Sequence, residues 1–148
     1  MAGYSATPLP QKLGIKPRHR LLVLAAPADF SKTLGELPDG VTLREKSGKG
    51  ENFDVIVQFV TSRRTLEKGF AATSARLDPS GGFWVAWPKR ASGVETDVTE
   101  DVVREIALAA GLVDNKVCAI DETWSGLRVV VRVADRPKKK AVPGKAKR

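Results

Sequence analysis

One cysteine, one histidine and no apolar run near twenty residues: each shortage in this 148-residue sequence removes a class of function. Cys118 has no partner for an internal disulfide, and no second histidine or thiol cluster exists to complete a transition-metal site. Triads of the Ser-His-Asp or Cys-His kind need their members in contact. His19 stands between Arg18 and Arg20, ahead of the first expected strand and at the sheet edge away from the loops suited to chemistry, so hydrolase chemistry is not expected. Cys118 falls within an expected strand, where a free thiol is normally inert. A membrane helix needs about 20 apolar residues, and no charged start precedes an apolar leader. The expectation is a cytoplasmic protein without membrane association, metal or resident cofactor.

The basic excess is concentrated in one stretch. Residues 136–148 hold seven Lys or Arg and no acid, which leaves 18 basic against 17 acidic residues elsewhere. The net charge of +8 is therefore a property of the end of the chain, and the body is close to neutral. A basic tail attracts phosphates without reading sequence. This one has no aromatic residue to stack on a base, so a solvated, disordered tail over 135–148 is the plain expectation, with nucleic acid as a partner only through charge.

What is present suits one globular domain, at 42% hydrophobic and 28% charged residues. Residues 1–13, with Gly3, Pro8 and Pro10, read as a loop or one short helix, and 14–134 as the folded body. Arg20–Leu24 is an apolar strand pattern. Pro27–Phe30 opens a short helix with Phe30, Leu34 and Leu37 on one face, and Val41–Leu43 is a short edge strand. Phe53–Val60 is β-branched and apolar on both faces, the mark of a parallel strand covered on both sides. Thr61 or Ser62 caps a helix bearing Leu66, Phe70, Ser74 and Leu77, which Asp78–Gly82 breaks ahead of a strand at Phe83–Trp87. Asp97 and Glu100 have capping-box spacing before a helix that Gly111 stops. Lys116–Ile120 and Leu127–Val133 flank Thr123–Gly126 as a hairpin. Trp84 and Trp87, three apart on one strand, point to opposite faces.

This order resembles the Rossmann-like fold of S-adenosylmethionine-dependent methyltransferases. Leu13-Gly14-Ile15-Lys16-Pro17 is similar to that family's lead-in, and Leu77-Asp78-Pro79-Ser80-Gly81-Gly82, before Phe83, to its common L-x-P-G-G turn. The chain also resembles, over its full length, a family of short bacterial proteins described only as a domain of unknown function. Trp84–Arg90 and Asp121–Gly126 carry that likeness. The implied fold is α/β, a methyltransferase-type, mostly parallel sheet, shortened by one strand and its helices and ending in an antiparallel hairpin. The family's G-x-G-x-G cofactor loop is replaced by Ala25-Ala26-Pro27-Ala28-Asp29, and Glu45 alone stands where an acid would hold ribose hydroxyls. Proline removes an N–H and alanine adds a Cβ where close backbone approach is wanted.

Ligands of open α/β sheets sit outside the carboxyl ends of the strands. That edge gathers Ser62, Arg63, Lys89, Arg90, Trp124 and Ser125 as candidate ligand-binding residues, with Asp97, Asp121 and Glu122 nearby. Cations beside a helix start and a tryptophan suit a phosphate, carboxylate or nucleotide. The alternative is that Lys89 and Arg90 merely pair with Asp121 or Glu122. Three functions follow. The first is a non-catalytic methyltransferase-like module binding an anionic ligand or a macromolecule. The others are a methyltransferase with an atypical cofactor loop and a nucleic-acid accessory protein acting through its tail.

Overall fold

Six strands share one sheet in the computed structural model, which describes residues 7–46, 48 and 50–136. The elements are α1 (Leu9–Lys12), β1 (Arg20–Leu24), α2 (Phe30–Leu34), β2 (Thr42–Arg44), β3 (Phe53–Phe59), α3 (Arg63–Ser74), β4 (Leu77–Pro88), α4 (Glu100–Ala109), β5 (Leu112–Ala119) and β6 (Trp124–Val131). The strand order is β2-β1-β3-β4-β6-β5. β2, β1, β3 and β4 are mutually parallel, and β6 runs antiparallel to both β4 and β5. β5 is therefore parallel to the first four, and the β5–β6 turn lies at their carboxyl edge. The tail from residue 137 onward lies outside the described residues.

The strands alternate between two cores. Val55, Val57, Phe59 and Trp84 face α1 and α2, with Leu9, Leu13, Phe30 and Leu34. Ile56, Phe83, Val85 and Trp87 face α3 and α4, with Leu66, Phe70, Val103 and Ile106. Each such side chain contributes roughly 1.5–3 kcal/mol when fully buried. Trp84 and Trp87 take opposite faces, as their spacing requires.

Three local readings are corrected. Asp78–Gly82 does not precede the strand but lies in it. The pairing passes from Phe53↔Leu77 to Val55↔Gly82, so Asp54 alone faces a four-residue bulge at 78–81. Asp78 Oδ1 accepts from the Ser80 backbone N–H and hydroxyl, which closes the bulge on itself. Leu77 is buried from the strand, α3 having ended at Ser74.

Asp97 does not cap the helix that follows it. Thr99 does, accepting from Val102 N at 3.2 Å, while Asp97 Oδ1 accepts from Arg63 N at 2.7 Å. An acid thus satisfies a free N–H in the first turn of α3, where Ser62 Oγ already accepts from Thr65 N. The spacing looked local, but the bond spans 34 residues.

The hairpin turn is likewise displaced. Trp124, Ser125 and Gly126 belong to β6, and the turn is formed by residues 120–123. Asp121 Oδ1 accepts from both Thr123 N and Trp124 N at 2.8 Å, an Asx turn that starts β6 at Trp124, ahead of the expected Leu127.

Candidate functional site

Chain order and strand order reverse between β1 and β3. From β1 the chain moves outward through α2 to β2, then returns past β1 to β3 and β4. Open α/β sheets form a crevice at such a switch point, outside the carboxyl ends of the strands. A cleft of about 490 Å³ opens beside this point, on its β1–α2–β2 side, floored by Val23 and Phe30 and walled by the 25–28 loop and Leu43. That volume lies within the usual range for small-molecule sites. Its surface is mostly apolar, and Glu45 is the only charged side chain among its lining residues.

The loop is shaped as a glycine loop without glycine. Ala25 holds φ +57°, the left-handed conformation, and is exposed. That conformation costs an L-residue roughly 1–2 kcal/mol, against about 0.5–1 kcal/mol of extra chain entropy lost by glycine. Ala25→Gly is therefore expected to stabilise the fold by about 0.5–1 kcal/mol in urea unfolding. A loss of stability would mean that the Ala25 methyl makes a contact worth more than the strain it stores. Pro27 offers no N–H to a ligand, and Asp29 sits at the start of the five-residue α2.

An aromatic row connects the cleft to the hairpin turn. Phe30 meets Phe59 edge-on at 4.9 Å between centroids, and Phe59 meets Trp124 edge-on at 5.0 Å. Trp124 is half-buried against this row. Its strand partner is Pro88, and the next residue, Lys89, donates its backbone N–H to Thr123 O at 2.7 Å. The ends of β4 and β6 are thereby held together beside the row.

The six candidate residues divide into two groups, and none of them lines the cleft. Ser62 and Arg63 serve the helices. Ser62 caps α3, and the Arg63 guanidinium bonds Glu67 at 2.9 Å and pairs with Glu105 at 3.3 Å. Those two carboxylates, Glu67 first, raise its affinity for the proton above the ordinary arginine value. Lys89, Arg90, Trp124 and Ser125 stand at the carboxyl end of β4 and the amino end of β6. Lys89 and Arg90 form no ion pair among the described residues, whereas Asp121 is occupied by the turn it closes. Among the described residues no group of three His, Cys, Asp or Glu is placed to hold a metal, and no helix is long and apolar enough to cross a membrane.

What the candidate set missed is the cleft itself. Its signals, the small residues 25–28 and Glu45, were visible only as positions in a motif that the chain lacks.

No protein-family model matches the sequence, and no curated protein matches it. Solved structures do match in fold. An S-adenosylmethionine-dependent methyltransferase from Aquifex aeolicus aligns over 80% of this chain and 85% of its own, at 18% identity and TM-score 0.53. The fibrillarin pre-rRNA processing protein of Methanococcus jannaschii aligns over 86% and 70%, at 14% identity and TM-score 0.57. A protein of the NAD-binding Rossmann superfamily from Streptococcus agalactiae aligns over 88% and 70%, at 11% identity and TM-score 0.55. The fold is Rossmann-like, of the methyltransferase type, as its strand order indicates.

At these identities the likeness extends to fold alone. The 25–28 loop that walls the cleft follows the first strand, where the resemblance puts the loop for the methyl-donor cofactor. The Ala25 Cβ and the Pro27 ring occupy positions where backbone N–H groups would have to approach the cofactor. The residues present do not fit that cofactor, and no transfer step follows from them.

Proposed function

We propose that this chain is a non-catalytic binding module of methyltransferase-type fold, whose cleft between β1, α2 and β2 takes a small ligand with an uncharged body. The supporting observation is a cleft of about 490 Å³ beside the switch point, with Glu45 as its only charged lining residue. A lone carboxylate accepts hydrogen bonds from ligand hydroxyl or amino groups and repels an anion placed beside it. The anionic class expected from the sequence therefore does not suit the cleft itself. Lys89 and Arg90 follow the end of β4, two strand spacings from β1, roughly 10 Å along the edge. An elongated ligand keeps its uncharged body in the cleft and reaches these cations with an anionic end, passing Trp124.

Calorimetric titration with neutral nucleosides and sugars, and with their phosphates, tests the reading. Glu45→Gln should weaken the neutral ligand that binds best by about tenfold or more, since a hydrogen bond to a charged acceptor contributes roughly 1.5–3 kcal/mol. Lys89→Ala with Arg90→Ala should weaken only its phosphorylated form. Transfer of a labelled methyl group from S-adenosylmethionine to any acceptor would overturn the non-catalytic assignment. Ligand binding indifferent to Glu45→Gln would remove the cleft from it.

A further inference from the structure

Four cations follow one another along the α1 face of β5 and β6, from Lys12 beside the carboxyl end of β5 to Arg136 at the opposite edge. Lys116 and Arg128 are register partners on these neighbouring strands, so their side chains share a face. Arg128 is also the register partner of Trp84, whose indole belongs to the core beneath α1. Lys12, at the end of α1, bonds Ala119 O through Nζ at 2.9 Å, and Lys116 Nζ bonds Lys12 O at 3.3 Å. Arg136 turns back after β6, its Nε bonding Val131 O at 3.1 Å. These contacts lead to carbonyl oxygens, which fix the side chains and leave their charges uncompensated.

Arg128 is the most telling member. Its guanidinium is half-buried over Gly82, where a Cβ would meet Nε at 2.2 Å, and it has neither a hydrogen bond nor an ion pair among the described residues. Burial, with Arg136 close by, shifts its proton affinity below the ordinary arginine value. None of the four cations forms an ion pair among the described residues. The ion pairs among the described residues each involve Arg20, Arg44, Arg63 or Arg104. A cation held without a counter-charge costs stability, and the cost is relieved when an anion is supplied from outside. The chain then continues from Arg136 into residues 137–148, which carry six more Lys or Arg and no acid.

We infer that the strip Lys12–Lys116–Arg128–Arg136 is a docking surface for the phosphate backbone of a nucleic-acid duplex. Lys116 and Arg128 stand on strands about 4.8 Å apart, with Lys12 on α1 and Arg136 after β6 at the two ends, so the charges are drawn out in a line rather than gathered on one point, which suits a row of phosphates better than a single anion. The strip itself carries no aromatic side chain, and Trp124, on the same face of β6, is half-buried edge-on against Phe59, which leaves no fully exposed ring among the described residues on which an unpaired base could stack. Backbone contact to a duplex remains, sequence-independent and salt-sensitive. The surface is separate from the cleft, and the inference does not depend on how the cleft is used.

Fluorescence anisotropy with a labelled 20-base-pair duplex, on the full chain over 0.05–0.3 M salt, supplies the test. Each phosphate contact adds about 0.9 to the slope of log K against log salt. Lys12→Gln with Lys116→Gln should lower that slope by about 1.8 and weaken binding at 0.1 M salt by more than roughly tenfold. Arg128→Gln should lower it by about 0.9 without lowering the melting temperature, because that side chain supports no other group. Three results would overturn the inference. One is no duplex binding at 0.05 M salt. Another is binding unchanged by both variants yet abolished by neutralising Lys138, Lys139 and Lys140, which would place it in the tail alone. The third is equal affinity for poly-glutamate or anionic vesicles, which would mean a different class of partner.

Discussion

Gly81→Ala is expected to lower the melting temperature by roughly 6–12 °C, corresponding to about 3 kcal/mol in a domain of this size. A Cβ at Gly81 would stand 2.3 Å from the carbonyl oxygen of Asp54, a backbone atom that no rotamer can move aside. Asp54 is also tied at its other end, where Oδ2 accepts from Arg20 N at 2.8 Å and joins the starts of β1 and β3. Displacing it therefore disturbs the parallel pairs on both sides of β3. Gly82→Ala supplies the contrast. Its Cβ would meet the Arg128 guanidinium, the free end of a long side chain, so relief is available and about 1 kcal/mol or less is expected. Differential scanning calorimetry of the two variants decides the matter. Equal losses would mean that the bulge is not held by the Asp54 contact.

Trp84→Ala carries the other large effect, about 3–5 kcal/mol. Trp84 is fully buried at the centre of the α1 face, and its Nε1–H donates to Leu13 O at 3.0 Å. That bond attaches the segment after α1 to the middle of the sheet across 71 residues of sequence. The two contributions separate by substitution. Trp84→Phe keeps most of the ring but strands the Leu13 carbonyl, and should cost about 1–3 kcal/mol. Urea unfolding measures both, and hydrogen exchange at Leu13 and Ile15 should rise selectively in the Phe variant. Full protection there would show that α1 is held by its apolar contacts, Leu9 and Leu13, without the indole bond.

The elements read correctly from the sequence are those whose cause is local. Arg20–Leu24 and the β3 segment announce themselves because a strand buried on both faces must be continuously apolar. Ser62 signals a helix start because its hydroxyl reaches N–H groups of its own next turn. Gly126 shows where local reading fails. Its neighbours read as a turn, yet it lies inside β6, where a Cβ would approach the Trp84 ring at 3.1 Å. That glycine answers a packing demand from a strand forty residues away, and nothing in its immediate neighbours records the demand. Asp97 misled for the same reason, since the N–H it satisfies belongs to another helix.

The candidate site divides along this line as well. Lys89, Arg90 and Trp124 were placed at the carboxyl edge because the direction of each parallel strand follows from the order of elements. Ser62 and Arg63 were placed there too, but Glu67, Glu105 and Asp97 engage Arg63 in the contacts between α3 and α4. Whether a charge is free or spent depends on what the rest of the chain brings beside it.

By itself, the sequence determined the class of fold, the two-sided burial of the sheet, the loss of the glycine loop and the confinement of excess charge to one end. All of these are composition or short-range pattern, dictated by what a residue and its next few neighbours can bury or hydrogen-bond. Only the tertiary structure decided that a cleft stands beside Glu45, that Ala25 takes a glycine's conformation, and that Lys12, Lys116, Arg128 and Arg136 share one face. A cleft is the gap between elements and a charged strip is a coincidence of surfaces. Both arise from the packing of residues distant in the chain, which no local rule contains.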